Sequence, residues 1–242
     1  MTRSLAEDAE AAERLLTSGT MTVEGRIVQA SNATLRCDIE LDGVRAKCVY
    51  KPIAGERPLW DFPDGTLAGR EVASYLVSQT MGMRIVPPTV HRDGPYGPGM
   101  VQLWIEPDPE VDLVALSRAN DPAVRRVAVF DAVVNNADRK IGHLLPVPGG
   151  HVHGCDHGVT FSTDYKLRTV LWQWRGKPLK PLALQALAKV RAELDGSLGE
   201  RLTAHITPAE VEATRHRVDL MLKHRVHPYP PEDWPAVPWP PM

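Results

Sequence analysis

Along the first hundred residues polar and apolar positions alternate mostly with period two, and beyond residue 107 the period lengthens to that of a helix. VEGRIVQA (23–30) and LRCDIEL (35–41) predict two strands joined by the loop SNAT. The second puts Leu35, Cys37, Ile39 and Leu41 on one face, the alternation of a half-buried strand. Asp42–Gly43 predicts a tight turn into a returning strand, VRAKCVYK, because this dipeptide tolerates the positive φ that a two-residue hairpin needs. IAGERPLWDFPDG is too rich in glycine and proline for regular structure. From Thr66 to Thr80 the period becomes helical, with Ala68, Val72, Tyr75, Leu76 and Gln79 on one stripe. PTVHR and MVQLWIE predict two further strands around the turn-forming DGPYGPG. Ahead of all these, Ser4 to Leu16 reads as a short helix, with Ser4 as N-cap and Glu7 at capping-box spacing.

The second half reads as helix. VDLVALSR is short; Asp121 then caps a longer helix with Pro122 at its first position, where the missing N–H costs nothing. That helix is apolar nearly all round from Val127 to Val134, which predicts burial. It stops at a polar run, NNADRKIGH, and HLLPV, PGG and HVHGCD then predict a small hairpin. LALQALAKVRAEL and PAEVEATRHRVDLMLKHR are amphipathic helices, and a proline-rich tail follows. No internal repeat is present. The expected fold is α+β: an antiparallel β-rich N-lobe over residues 1–106, with an N-terminal helix and one inserted helix, and a mainly helical C-lobe over 107–242. The proline-rich tail reads either as a polyproline II ligand or as a segment packed back on the domain, and its two tryptophans favour packing.

Composition narrows the function classes. With 242 residues, 43% hydrophobic and 24% charged, the chain can bury a sizeable core. A net charge of −2 offers no footprint for nucleic acid or an anionic membrane. No apolar run approaches the ~20 residues that span a bilayer, and the acidic N-terminus is unlike a secretory signal. Three widely spaced cysteines, Cys37, Cys48 and Cys155, fit a reducing compartment. A cytoplasmic monomer without stable membrane insertion is the expectation.

Phosphoryl transfer needs a cation on nucleotide phosphates, a carboxylate to hold that cation, a carboxylate near the acceptor hydroxyl, and metal ligands. The chain offers a candidate for each, in order: Lys51 at the end of the returning strand, Glu71 on the inserted helix, Asp138 after the buried helix and Asp156 after the small hairpin. Singly each has a plainer reading. A strand-end lysine is usually solvated, NNADRK suits a helix C-terminus, and DHG suits a turn. Their joint order favours function. Asp131, inside the buried helix, reads as a paired structural carboxylate.

The order strand lysine, helix glutamate, NADRKIGH, hairpin, CDHG resembles the atypical kinases related to phosphatidylinositol 3- and 4-kinases and to HipA-type bacterial kinases. More narrowly it resembles actinobacterial proteins labelled phosphatidylinositol-kinase-like. The resemblance spans Gly25 to Trp174, and its most specific motifs are D-R-K-x-x-H and D-H-G. It implies a two-lobed protein-kinase-like fold and ATP-dependent transfer, with Mg²⁺ or Mn²⁺, to a lipid, protein or small-molecule hydroxyl. It implies Asp138 as catalytic aspartate, with Arg139 or Lys140 stabilising the transferred group, and Asp156 as metal ligand. Lys51 would contact the nucleotide phosphates and Glu71 would orient it. The matching phosphate turn is QASNAT, where Ser31, Asn32 and Thr34 offer donors, and adenine is expected against Gln102, Leu103, Trp104 and Ile105. Relatives carry asparagine where this chain has His143, and magnesium prefers oxygen ligands. Three roles for His143 stay open: a Mn²⁺ ligand, a phosphate contact when protonated, or a neighbour of a one-metal site.

Lys166, Arg168 and Arg175, after Asp156, form a candidate attraction for a phosphorylated or acidic acceptor; Trp172 and Trp174 are read first as anchors of that segment. Three other classes compete. His151, His153 and Cys155 alternate on one strand, so they would converge on zinc in a hydrolase. A nucleotide-binding pseudokinase would keep the fold without the chemistry, and an AMP-transferring enzyme would use the same groups on another phosphate.

Overall fold

The computed structural model of the protein describes residues 5, 6, 8–27 and 32–242. Five strands make an antiparallel sheet in the order β1-β2-β3-β5-β4. They are β1 (Thr20–Arg26), β2 (Leu35–Leu41), β3 (Val44–Pro52), β4 (Thr89–Gly94) and β5 (Gly97–Leu103). The β2–β3 turn is the expected one, with Asp42 at φ 51° and Gly43 at φ 80°. Alternation then sorts the faces. Cys37, Ile39, Cys48, Tyr50, Val101 and Leu103 all turn toward α1 (Ala9–Ser18), where Ala12, Leu15 and Leu16 complete a buried cluster. Each large side chain so buried contributes roughly 1.5–3 kcal/mol. Cys37 and Cys48 face each other across the register as free thiols.

The other face carries Lys51 opposite Met100, and Met100 packs on Ala68 and Val72 of α2 (Leu67–Met81). The expected single stripe on α2 understates its burial, since twelve of its fifteen residues are buried. The helix is enclosed between the sheet and the C-terminal helices α5 (Pro181–Glu193) and α6 (Ser197–Leu202). Polar residues off the stripe find partners inside: Arg70 donates to Thr160 O and pairs with Glu210, and Ser78 Oγ accepts from Ile85 and Val86.

Several boundaries differ from expectation. Asp8 caps α1 by accepting from Ala11 N–H at 3.1 Å; the expected cap Ser4 and its partner Glu7 lie outside the described residues. β1 starts three residues before VEGRIVQA, and the end of that run also lies outside them. β5 stops at Leu103, leaving Trp104, Ile105 and Glu106 beyond the strand.

The C-terminal half holds α3 (Leu113–Arg118), α4 (Pro122–Val134), the hairpin β6 (Leu144–Val147) and β7 (His151–Gly154), then α5, α6 and α7 (Pro208–His224). Asp121 caps α4 as expected, accepting from Ala123 and Val124, and ten of its thirteen residues are buried. The helix ends because Asn135 turns left-handed at φ 54°, which asparagine tolerates. The chain past α7 returns over this half: Ala236 O accepts from Thr169 N and Trp172 Nε1, and Pro241 O from Ile141 N. No helix among the described residues is long and apolar enough to cross a membrane. The architecture is α+β.

Candidate functional site

β3, α2 and the turn after β7 each deliver one charged group to a common point. Lys51 Nζ lies 2.6 Å from Glu71 Oε1 and 2.8 Å from Asp156 Oδ1. Glu71 is fully buried, and its second oxygen accepts the His157 backbone N–H at 2.9 Å. Burial works against the charge on Lys51, but Asp156 and Glu71 together hold its pKa above the ordinary lysine value. Lys51 in turn pulls Asp156 well below the usual carboxylate range, with His143 adding to the effect. Asp156 itself adopts φ 60°, an uncommon conformation for a residue other than glycine and one that recurs at functional sites.

The loop after α4 brings the other residues. Asp138 is partly exposed, between Lys140 Nζ at 3.4 Å and Arg168 Nη2 at 3.3 Å. Its backbone N–H donates to Asn136 Oδ1, while Asn136 Nδ2 donates to Asp131. Arg168 also donates to Ala137 O at 2.6 Å. Asn136 and Arg168 thus hold Asp138; Asn136 was not among the expected site residues, and Arg168 was expected to attract the acceptor rather than to hold Asp138. The only signal for Asn136 was the doubled asparagine at a helix end.

Arg139 corrects an expectation. It is fully buried, forms a two-pronged pair with Asp131 at 2.8 and 2.9 Å, and donates to Cys155 O and toward His157 Nε2. A guanidinium so committed cannot reach a transferred phosphoryl group. Asp131 is the paired structural carboxylate that its position suggested.

His143 sits beside Asp156, Nε2 to Oδ2 at 3.6 Å, and its Nδ1 accepts the Lys140 backbone N–H at 3.4 Å. That acceptance puts the neutral ring's proton on Nε2. Burial lowers the His143 pKa although Asp156 opposes it, so the protonated phosphate contact loses ground. Among the described residues no group of three or more His, Cys, Asp or Glu side chains is placed to hold a metal ion. One half-exposed carboxylate with one imidazole beside it fits a hard divalent cation carried in with nucleotide phosphates, not an all-protein cage.

The zinc reading fails on the same ground. His151 Nε2 meets Arg84 O, His153 is buried, and Cys155 leaves the strand as its N–H donates to His143 O.

The nucleotide-contact residues fare unevenly. Ser31 lies outside the described residues. Asn32 accepts from Arg57 N, and Thr34 is buried with its carbonyl accepting from Ile27 N. At the expected adenine segment, the Leu103 and Trp104 N–H groups already donate to Pro88 O and Lys47 O. Gln102 is buried and bonded to Thr89, and Ile105 faces the α1 core, so only Trp104 keeps an accessible side chain, stacked under Arg36. The Leu103 and Trp104 N–H groups are therefore not free to donate to an adenine edge. On the acceptor side, Lys166 pairs with Asp61, Trp172 donates to Ala236 O, and Trp174 is buried against His227. Arg175 joins His227 in a backbone bridge.

No protein-family model matches the sequence. Protein Rv2133c of Mycobacterium tuberculosis (strain ATCC 25618 / H37Rv) is 44% identical, the match covering 93% of this chain and 94% of that protein. Among solved structures the fold is similar to the Golgi casein kinase, with TM-score 0.56 and 13% identity over 92% of this chain and 75% of that one. The same kinase with Mn/ADP bound gives 0.56 and 14% over 89% and 75%. Hydra Fam20 with sugar gives 0.58 and 13% over 93% and 89%. At these identities the likeness is one of fold, and that fold is kinase-like.

Proposed function

The chain belongs to the same family as Protein Rv2133c, and from the geometry of its charged groups we propose that it is an ATP- and divalent-metal-dependent phosphotransferase acting on a hydroxyl-bearing acceptor. The observation that carries this is the Lys51 ammonium held between Glu71 and Asp156, groups 20 and 105 residues away in the chain. A strand lysine paired to a helix glutamate, beside an aspartate placed to take a metal ion, is the arrangement protein kinases use for phosphoryl transfer. The fold neighbour solved with Mn/ADP bound supports nucleotide and metal use.

In this reading Lys51 clamps the α- and β-phosphates, and Glu71 keeps it aimed. Asp156, with His143 beside it, would hold the divalent cation, whose charge would offset that of the phosphates. Asp138 orients the acceptor hydroxyl and takes its proton as the new oxygen–phosphorus bond forms. The bond from the γ-phosphorus to its bridging oxygen breaks, and ADP leaves. Lys140 and Arg168 flank Asp138 and would offer their positive charge to the transferred group. The division into lobes at 106/107 belongs to the same proposal, with the nucleotide between them against Trp104. The acceptor class stays at lipid, protein or small molecule.

Transfer of labelled γ-phosphate to lipids, proteins and metabolites is the test. Asp138→Asn is expected to cut turnover by roughly 10²–10⁴-fold with ADP·Mn²⁺ binding retained, because a positioned base is worth about that much. Lys51→Met should instead weaken nucleotide binding itself. Full activity in Asp138→Asn sinks the assignment. Binding without transfer to any acceptor class would return the pseudokinase, and incorporation of α-label the AMP transferase.

A further inference from the structure

Between α4, α7 and the segment 163–165 lies a cavity of about 680 Å³, away from Lys51, Asp138 and Asp156. Its volume falls in the roughly 300–1,000 Å³ range of small-molecule pockets. The wall is mostly apolar, with Ala132, Leu220 and Met221 among its residues, and no Asp or Glu lines it. Tyr165, Leu220 and Tyr229, large side chains on this wall, remain exposed.

Arg217, the permanent cation of this wall, makes no ion pair among the described residues. Arg217 donates through Nε to Val133 O at 3.0 Å, Nη1 to Ser162 O at 3.2 Å and Nη2 to Thr214 Oγ1 at 2.8 Å. All three acceptors are neutral, and two of its five N–H donors stay uncommitted. The fully buried Arg70 and Arg139, and the buried Lys166, each face a carboxylate instead. Burial pushes the Arg217 pKa down to about 10, so it remains a cation at neutral pH. A half-buried guanidinium with no ion-pair partner has lost part of its hydration, and a ligand that supplies an anion offsets that loss.

We propose that this cavity binds an apolar monocarboxylate, its head group on Arg217 and its hydrocarbon against Ala132, Leu220 and Met221. The proposal is independent of the phosphotransferase reading. Occupancy would be felt nearby, because Arg217 and Asn135 hold the same carbonyl of Ser162.

Calorimetric titration of the full chain with decanoate, decanol and decylamine, each below micelle formation, tests it. Saturable one-to-one binding is expected for decanoate, with decanol weaker and decylamine weakest. Arg217→Gln should weaken decanoate roughly ten- to a hundred-fold, the worth of a charged hydrogen bond, while changing decanol little. Should that variant unfold, Ala213→Trp, which fills the cavity from α7, is expected to abolish binding of both. Failure of decanoate to saturate, equal affinity for decylamine, or undiminished binding in Ala213→Trp overturns the proposal.

Discussion

Arg139 and Asp131 are both fully out of solvent, and their paired bonds tie α4 to the loop that follows it. Taking two charges from water is repaid only while both are present. Arg139→Leu is therefore expected to destabilise the fold by about 3–5 kcal/mol through the orphaned Asp131, read as a lower urea midpoint. The double variant with Asp131→Leu should recover much of that loss. Unchanged stability with lost activity would instead restore Arg139 to the chemistry. Asp138, one residue earlier in the chain, stays partly open because Asn136 and Arg168 hold it at the surface of the loop.

α2 shows how an element's ends depend on distant residues. Thr66 occupies its N-cap but makes no side-chain cap; its hydroxyl donates to Pro63 O. The cap comes from Glu56, whose carboxylate accepts from Leu67 and Ala68 N–H at 3.1 and 2.8 Å. Glu56→Ala is expected to cost about 1 kcal/mol of stability and to raise hydrogen exchange in the first turn of α2, leaving α4 unchanged. Equal exchange in both helices would argue against the cap. The long helices were legible because their period and caps are local: Asp121–Pro122 opens α4 and Asn135 closes it. α6 was not, since six residues carry too little periodicity. The breadth of burial on α2 was equally hidden, because Arg70, Ser74 and Ser78 lie off the apolar stripe until partners from residues 85, 160 and 210 enclose them.

Across the molecule, a clasp joins three segments remote in sequence. Lys166 Nζ pairs with Asp61 at 3.1 Å and lies 4.9, 5.1 and 5.9 Å from the rings of Trp234, Trp60 and Phe62. The loop before α2, the segment after Asp156 and the tail thus share one cation, which aromatic faces attract. Beyond Trp234 the tail accepts from Thr169 and Ile141, next to the loop that holds Asp138. Trp234→Ala should speed hydrogen exchange at the Thr169 and Ile141 amides, while Gly176, bonded to His227 O, keeps its protection. Unchanged protection at Thr169 would mean that the tail holds without the clasp.

Local chemistry in the chain determined much of this protein: the hairpin at Asp42–Gly43, the capped and buried α4, the α+β order, and Lys51, Glu71, Asp138 and Asp156 as the charged groups to watch. Those features follow from period, turn preference and residue order, which need no partner. Tertiary structure decided which neighbours share a fate. It sent Arg139 inward and left Asp138 partly open, committed the Leu103 and Trp104 N–H groups to backbone partners, and kept Cys155 from joining the paired rings of His151 and His153. Each of these outcomes depends on a hydrogen-bond or ion-pair partner many residues away, and such pairing leaves no local signature in a single sequence.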